Sequence, residues 1–439
     1  MRKIYLLLAL SIVLMLSGCN AKNNAVTTAL QSSNCENTST SKSGTYIVRH
    51  PPASGENIGG LNVITGHKSK FLGDAKNFNG YLDLRYSDLS NVNLSQNSEQ
   101  LSNCFFSTYT KWPEKMTKEY KPDTILELGK NQGLGIRKLN NEGIDGRGIN
   151  IAIIDQPLLV DHKQYKDQIK FYDEINCGGE SSMHGPAMTS IAVGKSIGVA
   201  PKAKLYYVGC YNFNTKENNS KIDYTLAEVK AIDKIVKINK TLSEKDKIRV
   251  LSISAVWGPN NKGYKEMNEA VKRAENAGIF VISANIFETS NYKFWYYGVD
   301  REPMADPEKQ SSYKPHKWSN WISFVAEIPG FGKYYEEKYN KLAAKELLLV
   351  PMSSKTFAIP EDVKGYSFNR IGGWSSVEPY LAGLYALSCQ VKPNITPDLF
   401  WSTALRTGDA MDISNEGKET KTGKLINPIK LIEALKDDK

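Results

Sequence analysis

Four short runs with apolar, often β-branched cores constrain this chain more than any other feature: Ile149–Ile154 (INIAII), Leu205–Val208 (LYYV), Arg249–Ser254 (RVLSIS) and Ile279–Ser283 (IFVIS). None shows the strict apolar–polar alternation of a half-exposed strand, and none has the length of a helix. Between the third and fourth runs Met267, Ala270, Val271 and Ala274 recur at helical spacing, and Gly278 follows where a left-handed C-terminal cap belongs. Continuous apolar strands separated by helices predict a mostly parallel central sheet covered by helices on both faces, an α/β fold of three layers. Further on, Thr396-Pro397-Asp398 predicts a capped helix to about Arg406, and Asn427-Pro428 opens another through Leu435.

With 439 residues, 41% hydrophobic and 23% charged, the chain can bury a full-sized core and is neither disordered nor polytopic in composition. The alternation of strands and helices begins near Pro122, so residues 122–439 read as one large α/β domain. The formal net charge of +9 is spread along the chain and forms no basic stripe, which argues against a nucleic-acid partner. Six cysteines, none arranged as Cys-x-x-Cys, are too few for a disulfide scaffold and carry no zinc or redox motif.

Residues 1–18 open with Arg2 and Lys3, continue through an apolar stretch from Tyr5 to Leu16, and end in Ser17-Gly18 before Cys19. The stretch is short for a membrane-spanning helix. With small residues before a cysteine it resembles a bacterial lipoprotein signal, in which Cys19 becomes the lipidated first residue of the mature chain. The expectation is a protein anchored in membrane lipid on the extracytoplasmic face of a bacterial cell membrane. Residues 19–44, rich in Asn, Ser and Thr, predict a flexible, partly disordered tether. Within residues 45–121, Leu84, Leu89 and Leu94 stand five apart, preceded by Asp83, Asp88 and Asn93, which looks like a pentapeptide repeat. Three such units cannot stand alone: either they pack against the main domain, or the spacing is an accident of an Asn/Asp/Leu-rich loop.

In an open parallel sheet, reactive groups collect beyond the carboxyl ends of the strands. Asp155 ends the first apolar run. His184 opens the segment His-Gly-Pro-Ala-Met-Thr-Ser, whose small residues suit a helix start. Ser375 stands in Gly372-Gly373-Trp374-Ser375-Ser376, a Gly-rich turn into an apolar helix. A hydroxyl there lies near the positive end of a helix dipole, and the glycines let a substrate backbone approach.

Singly these are weak signals; together they follow the chain order Asp, His, Ser and carry longer matches. GIDGRGINIAIID, HGPAMTSIAVG, GVAPKAKLYYV, GWSSVEPYLAG and GKLINPIKLIEAL, spread from Gly143 to Leu435, resemble in order the first-strand, histidine-helix, following-strand, serine-helix and closing-helix segments of the subtilase family of serine peptidases. The resemblance implies a subtilisin-like three-layer fold and a serine endopeptidase acting on polypeptide. Ser375 is then the nucleophile, His184 the general base and acid, and Asp155 the group that orients the imidazole. The family's oxyanion donor is an Asn in an A-A-G-N segment. Here an ungapped alignment puts Phe287 at that position and a two-residue shift puts Asn285 there, and Asn285 is the expected donor. Ser254, Ala255 and Val256 match the family's substrate-pairing strand, where Val256 either narrows the first specificity pocket or simply packs.

Several residues depart from the family pattern: Gln156-Pro157 after Asp155, Trp374 before the serine, and Glu378 where a small neutral side chain is usual. If buried near the triad, Glu378 must be paired or protonated. No motif calls for a metal or other cofactor; calcium, bound by many family members, is the one ion the resemblance allows. His50, His67, His162 and His316 lack metal-like spacing and read as structural or solvated. Cys177 is placed to approach the site, and Cys210 and Cys389 read as buried apolar fillers. Two other readings stay open: a weakly active or inactive member that binds peptides or proteins, and a scaffold lipoprotein that works through residues 70–96.

Overall fold

The computed structural model describes residues 82–177, 181–210, 224–255, 257, 261–284, 294–316, 346–415 and 418–437. Cys19 and the first 81 residues, and the expected site residues Val256 and Asn285, lie outside these.

The strands are β1 (Leu82–Asp83), β2 (Cys104–Ser107), β3 (Asn150–Asp155), β4 (Ile169–Ile175), β5 (Lys204–Cys210), β6 (Ile248–Ile253), β7 (Phe280–Ser283), β8 (Tyr296–Arg301), β9 (Tyr313–Pro315), β10 (Leu348–Pro351), β11 (Lys355–Ala358), β12 (Tyr366–Asn369), β13 (Asp409–Asn415) and β14 (Lys418–Leu425). The helices are α1 (Ser98–Ser102), α2 (Pro122–Gly129), α3 (Ile136–Asn141), α4 (His184–Val193), α5 (Tyr224–Thr241), α6 (Tyr264–Asn276), α7 (Val377–Val391), α8 (Pro397–Thr407) and α9 (Pro428–Asp437). The four apolar runs become β3, β5, β6 and β7, the expected cap holds at α8, where Thr396 Oγ1 accepts from Leu399 N at 3.2 Å, and Asn427 Oδ1 accepts from Lys430 N at the start of α9.

These strands form the central sheet in the order β4-β5-β3-β6-β7, parallel throughout. Along β3, Ile151 and Ile153 point into one core with α4 and α7, whereas Ala152 and Ile154 point into a second core with α5 and α6. Alternate side chains are therefore apolar on both faces, which is why the run shows no alternation in sequence. From β3 the chain goes to the edge strand β4, returns to β5 between the two, and then crosses to β6 on the other side of β3. The carboxyl ends of β3 and β6 thus flank the topological switch point, where such sheets form a crevice. A second sheet, in the order β13-β14-β10-β8-β9, contributes Tyr296, Val299, Leu348 and Val350 to the first core.

Residues 82–120 form a two-turn coil. Its turns run parallel and meet at Leu82 with Cys104, Asp88 with Lys111 and Leu94 with Met116. Asp83, Asp88 and Asn93 each accept, through Oδ1, the backbone N–H two residues on, at 3.1 Å, and so make the corners. Leu84, Leu89 and Leu94, one per side, are buried against Phe106, Tyr120, Ile125 and Phe368. The coil packs on the α/β body: β2 pairs antiparallel with β12, giving a sheet in the order β1-β2-β12-β11. A boundary at residue 121 therefore divides the sequence but not the packing.

Candidate active site

Asp155 ends β3 and is 6% exposed. Its Oδ1 accepts the Gln156 backbone N–H at 2.7 Å and the His184 Nδ1–H at 2.6 Å. His184 is the first residue of α4, a helix buried along its whole length. Gly185 explains the close approach of this helix to the strand end: a Cβ there would overlap the Gln156 carbonyl oxygen and the Tyr207 hydroxyl. Gln156 and Pro157, unusual in sequence, hold the approach to α4. Ser182 Oγ donates to Gln156 Oε1, Ser182 N donates to the Pro157 carbonyl at 3.1 Å, and Tyr207 donates to the Gln156 carbonyl. With Nδ1 committed to Asp155, His184 Nε2 is buried and has no hydrogen-bond partner among the described residues.

Ser375 is 5% exposed, in the single 3-10 turn (Trp374–Ser376) that leads into α7. Gly372 makes this turn reachable. Its φ of 72° lies in the left-handed region, and a Cβ there would overlap the Met352 carbonyl. Ser376 closes the turn through its N–H to the Gly373 carbonyl at 2.8 Å. Ser254, just past β6, donates from Oγ to the Ser375 carbonyl at 3.0 Å. This bond holds the serine turn over the end of the strand next to β3. The turn and α7 also pack against α4, which begins with His184. The structure therefore gathers Asp155, His184, Ser254 and Ser375 at one end of the parallel sheet, with the Asp155–His184 bond formed and no bond between Ser375 and His184 Nε2. Ala255 is buried beside Ser254.

Glu378 was legible as an anomaly, but its partner was not. The carboxyl group is fully buried in the first turn of α7, and the Tyr296 hydroxyl on β8 is hydrogen-bonded to its Oε1. Burial pushes the carboxyl up to about 8, and nearby Asp155 adds to the rise. No local pattern points from Glu378 to a tyrosine on a different strand.

Of the remaining sequence candidates, Cys177 sits beside Gly209 at the end of β5, and burial, with the Glu174 carboxylate, drives its thiol far above the usual range, so it is a poor nucleophile. Cys210 and Cys389 are buried. His162 is fully buried, with Nε2 3.1 Å from the Gly365 carbonyl, and burial pushes it down to about 4. His316, read in sequence only as structural or solvated, forms a second carboxylate–imidazole pair, Nδ1 to Asp300 Oδ2 at 2.7 Å. Among the described residues no group of three or more His, Cys, Asp or Glu converges to hold a metal ion.

A parallel sheet covered on both faces, with polar side chains gathered beyond the ends of its two switch-point strands, defines an α/β protein of the open-sheet class. The chain belongs to the subtilase family, a family of serine peptidases, whose model matches residues 146–410. Similar solved structures include the prenylagaramide maturation protease PagA, 16% identical, covering 70% of this chain and 99% of that one, with a TM-score of 0.46. The subtilase cytotoxin SubAB is 14% identical over 70% and 95%, with a TM-score of 0.48. Fervidolysin from Fervidobacterium pennivorans, a keratinolytic enzyme related to subtilisin, is 17% identical over 71% and 47%, with a TM-score of 0.47.

Proposed function

We propose that this chain is a serine endopeptidase that cleaves polypeptides through an acyl-enzyme, anchored by a lipid on Cys19 at the extracytoplasmic face of a bacterial membrane. The observation that carries the hydrolytic part is the 2.6 Å bond from His184 Nδ1 to Asp155, which leaves Nε2 buried and free to act beside a serine turn. In this reading Ser375 Oγ attacks the scissile carbonyl while His184 Nε2 takes its proton. The carboxylate of Asp155 fixes the tautomer and stabilises the imidazolium. Charge on the carbonyl oxygen meets the Ser375 amide and the Asn285 side chain. The imidazolium then protonates the leaving amine as the C–N bond breaks. Water, deprotonated by the same nitrogen, releases the acyl group and restores the Ser375 hydroxyl. An extended substrate pairs with the backbone at Ser254–Val256.

The test is covalent labelling of the purified mature protein by a fluorophosphonate, with Ser375→Ala and His184→Ala as controls. Labelling that depends on both residues is expected, and its absence from well-folded protein defeats the peptidase reading. Metabolic labelling with a fatty-acid analogue, lost in Cys19→Ala, tests the anchor.

A further inference from the structure

The hydrolytic steps leave Glu378 unused, although it lies three residues beyond Ser375. Its contacts fix a proton count. The Tyr296 oxygen is hydrogen-bonded to Glu378 Oε1 and lies 2.9 Å from the Ser283 carbonyl oxygen. A phenol carries one proton, and a carbonyl can only accept. If Tyr296 donates to a Glu378 carboxylate, the Ser283 carbonyl faces a lone pair. If Tyr296 donates to Ser283, the second bond needs a proton on Glu378. Only the second arrangement satisfies both contacts. The surroundings favour the same state, since the carboxyl is fully buried and Asp155 nearby adds a like charge.

Ser283 ends β7, and the chain leaves it toward the segment in which the oxyanion donor is expected. We propose that Glu378 is a neutral positioning acid whose hydrogen bond, relayed by Tyr296 to the Ser283 carbonyl, ties the first turn of the nucleophile helix to the strand end that carries the oxyanion segment. This rests on the serine-peptidase reading of the site. The groups that act on Glu378 are Asp155 of β3, the Tyr296 hydroxyl of β8 and the Ser254 hydroxyl after β6. His184 opens α4, Tyr380, Tyr385 and Cys389 lie on the helix of Glu378 itself, and Lys430, Glu433, Lys436 and Asp437 of α9, which also packs on α7, are exposed. Arg249 of β6 acts on Tyr385 and Cys389, at the far end of α7. Loss of the Glu378 proton removes one link of the relay and places a negative charge close to a site where a second one must develop.

Three proteins test this: the wild type, Glu378→Gln, which keeps a donor toward Tyr296 but cannot ionise, and Glu378→Ala, which has neither. The infrared difference between wild type and Glu378→Gln should show the carbonyl stretch of a protonated carboxyl near neutral pH, fading as pH rises through about 8. The Ser375-dependent labelling rate of the wild type should fall over the same range. Glu378→Gln should rescue the neutral rate to within a few-fold and lose the alkaline fall, while Glu378→Ala should label about tenfold more slowly throughout. Absence of the protonated-carboxyl band, an alkaline fall retained in Glu378→Gln, or a Glu378→Ala rate equal to wild type each overturns the proposal. Folded wild type that never labels at Ser375 defeats the peptidase reading instead, and the infrared band then decides the state of Glu378 by itself.

Discussion

Phe106 of β2 and Phe368 of β12 pack with ring centroids 5.2 Å apart, across the antiparallel pairing that joins the coil to the α/β body. Phe106 also meets Trp112 and Tyr120, so one side chain gathers the aromatic residues of the coil's second turn against the strand that leads to Ser375. From the same stretch of chain, Arg370 Nε donates to the Ser102 carbonyl at 2.9 Å.

Phe106→Ala should cost about 3–5 kcal/mol, the range for truncating a buried aromatic side chain. Urea titration followed by tryptophan fluorescence measures it. A midpoint equal to wild type would mean that coil and body unfold independently.

Gly185→Ala should leave a folded chain but push α4 away from the end of β3, because the nearest group in the way, the Gln156 carbonyl, is backbone that cannot swing aside. Displacing His184 by about 1 Å is enough to slow acylation about a hundredfold. The fluorophosphonate labelling rate, normalised to a circular-dichroism melting curve, reads it. An unchanged rate would show that the close packing at Gly185 does not set the imidazole position.

Asp155→Asn should reduce kcat/KM on a peptide substrate by about 10⁴, since an amide that donates to Nδ1 selects the wrong tautomer. Parallel measurement of KM tests the assignment: a loss confined to KM would mark Asp155 as a structural residue.

His162 gives the fold an acid limit. Its native value of about 4 lies below the unfolded imidazole value near 6.5, so the unfolded chain binds more protons between those two points. Its contribution is complete above about pH 6.5 and is lost as pH falls toward 4, up to about 3 kcal/mol. Melting curves across this window should show the decline, and a His162→Gln chain should lose much of the slope. A wild-type slope of zero would count against a neutral buried imidazole.

The central sheet and the Asp155 and His184 positions were legible because each is local: an apolar run that ends in a carboxylate, a helix that opens on an imidazole. The serine turn was marked by its glycines. What the sequence did not display are pairings between distant segments. β4 mixes charged and apolar residues (IKFYDEI) and carries no continuous apolar run. The hairpin of β11 and β12 mixes Lys, Thr, Ser and Asn with Phe and Tyr, and its buried polar side chains are satisfied by distant groups: Lys355 by Gln132, Thr356 by the Leu126 carbonyl and Ser367 by the Phe106 carbonyl. Tyr296 meets Glu378 across 82 residues. The leucines five apart showed a periodicity but not the surface that completes their core.

The Ser367 hydroxyl donates to the Phe106 carbonyl across 261 residues of chain. A polypeptide made from its N-terminus therefore carries the open edge of β2 through most of its synthesis, and edge strands left open are sites of mispairing. Contacts this distant along the chain also form slowly. The segment that finally covers β2 is the one that leads to Ser375, so the edge of β2 and the turn that carries Ser375 are completed by the same late-made stretch of chain.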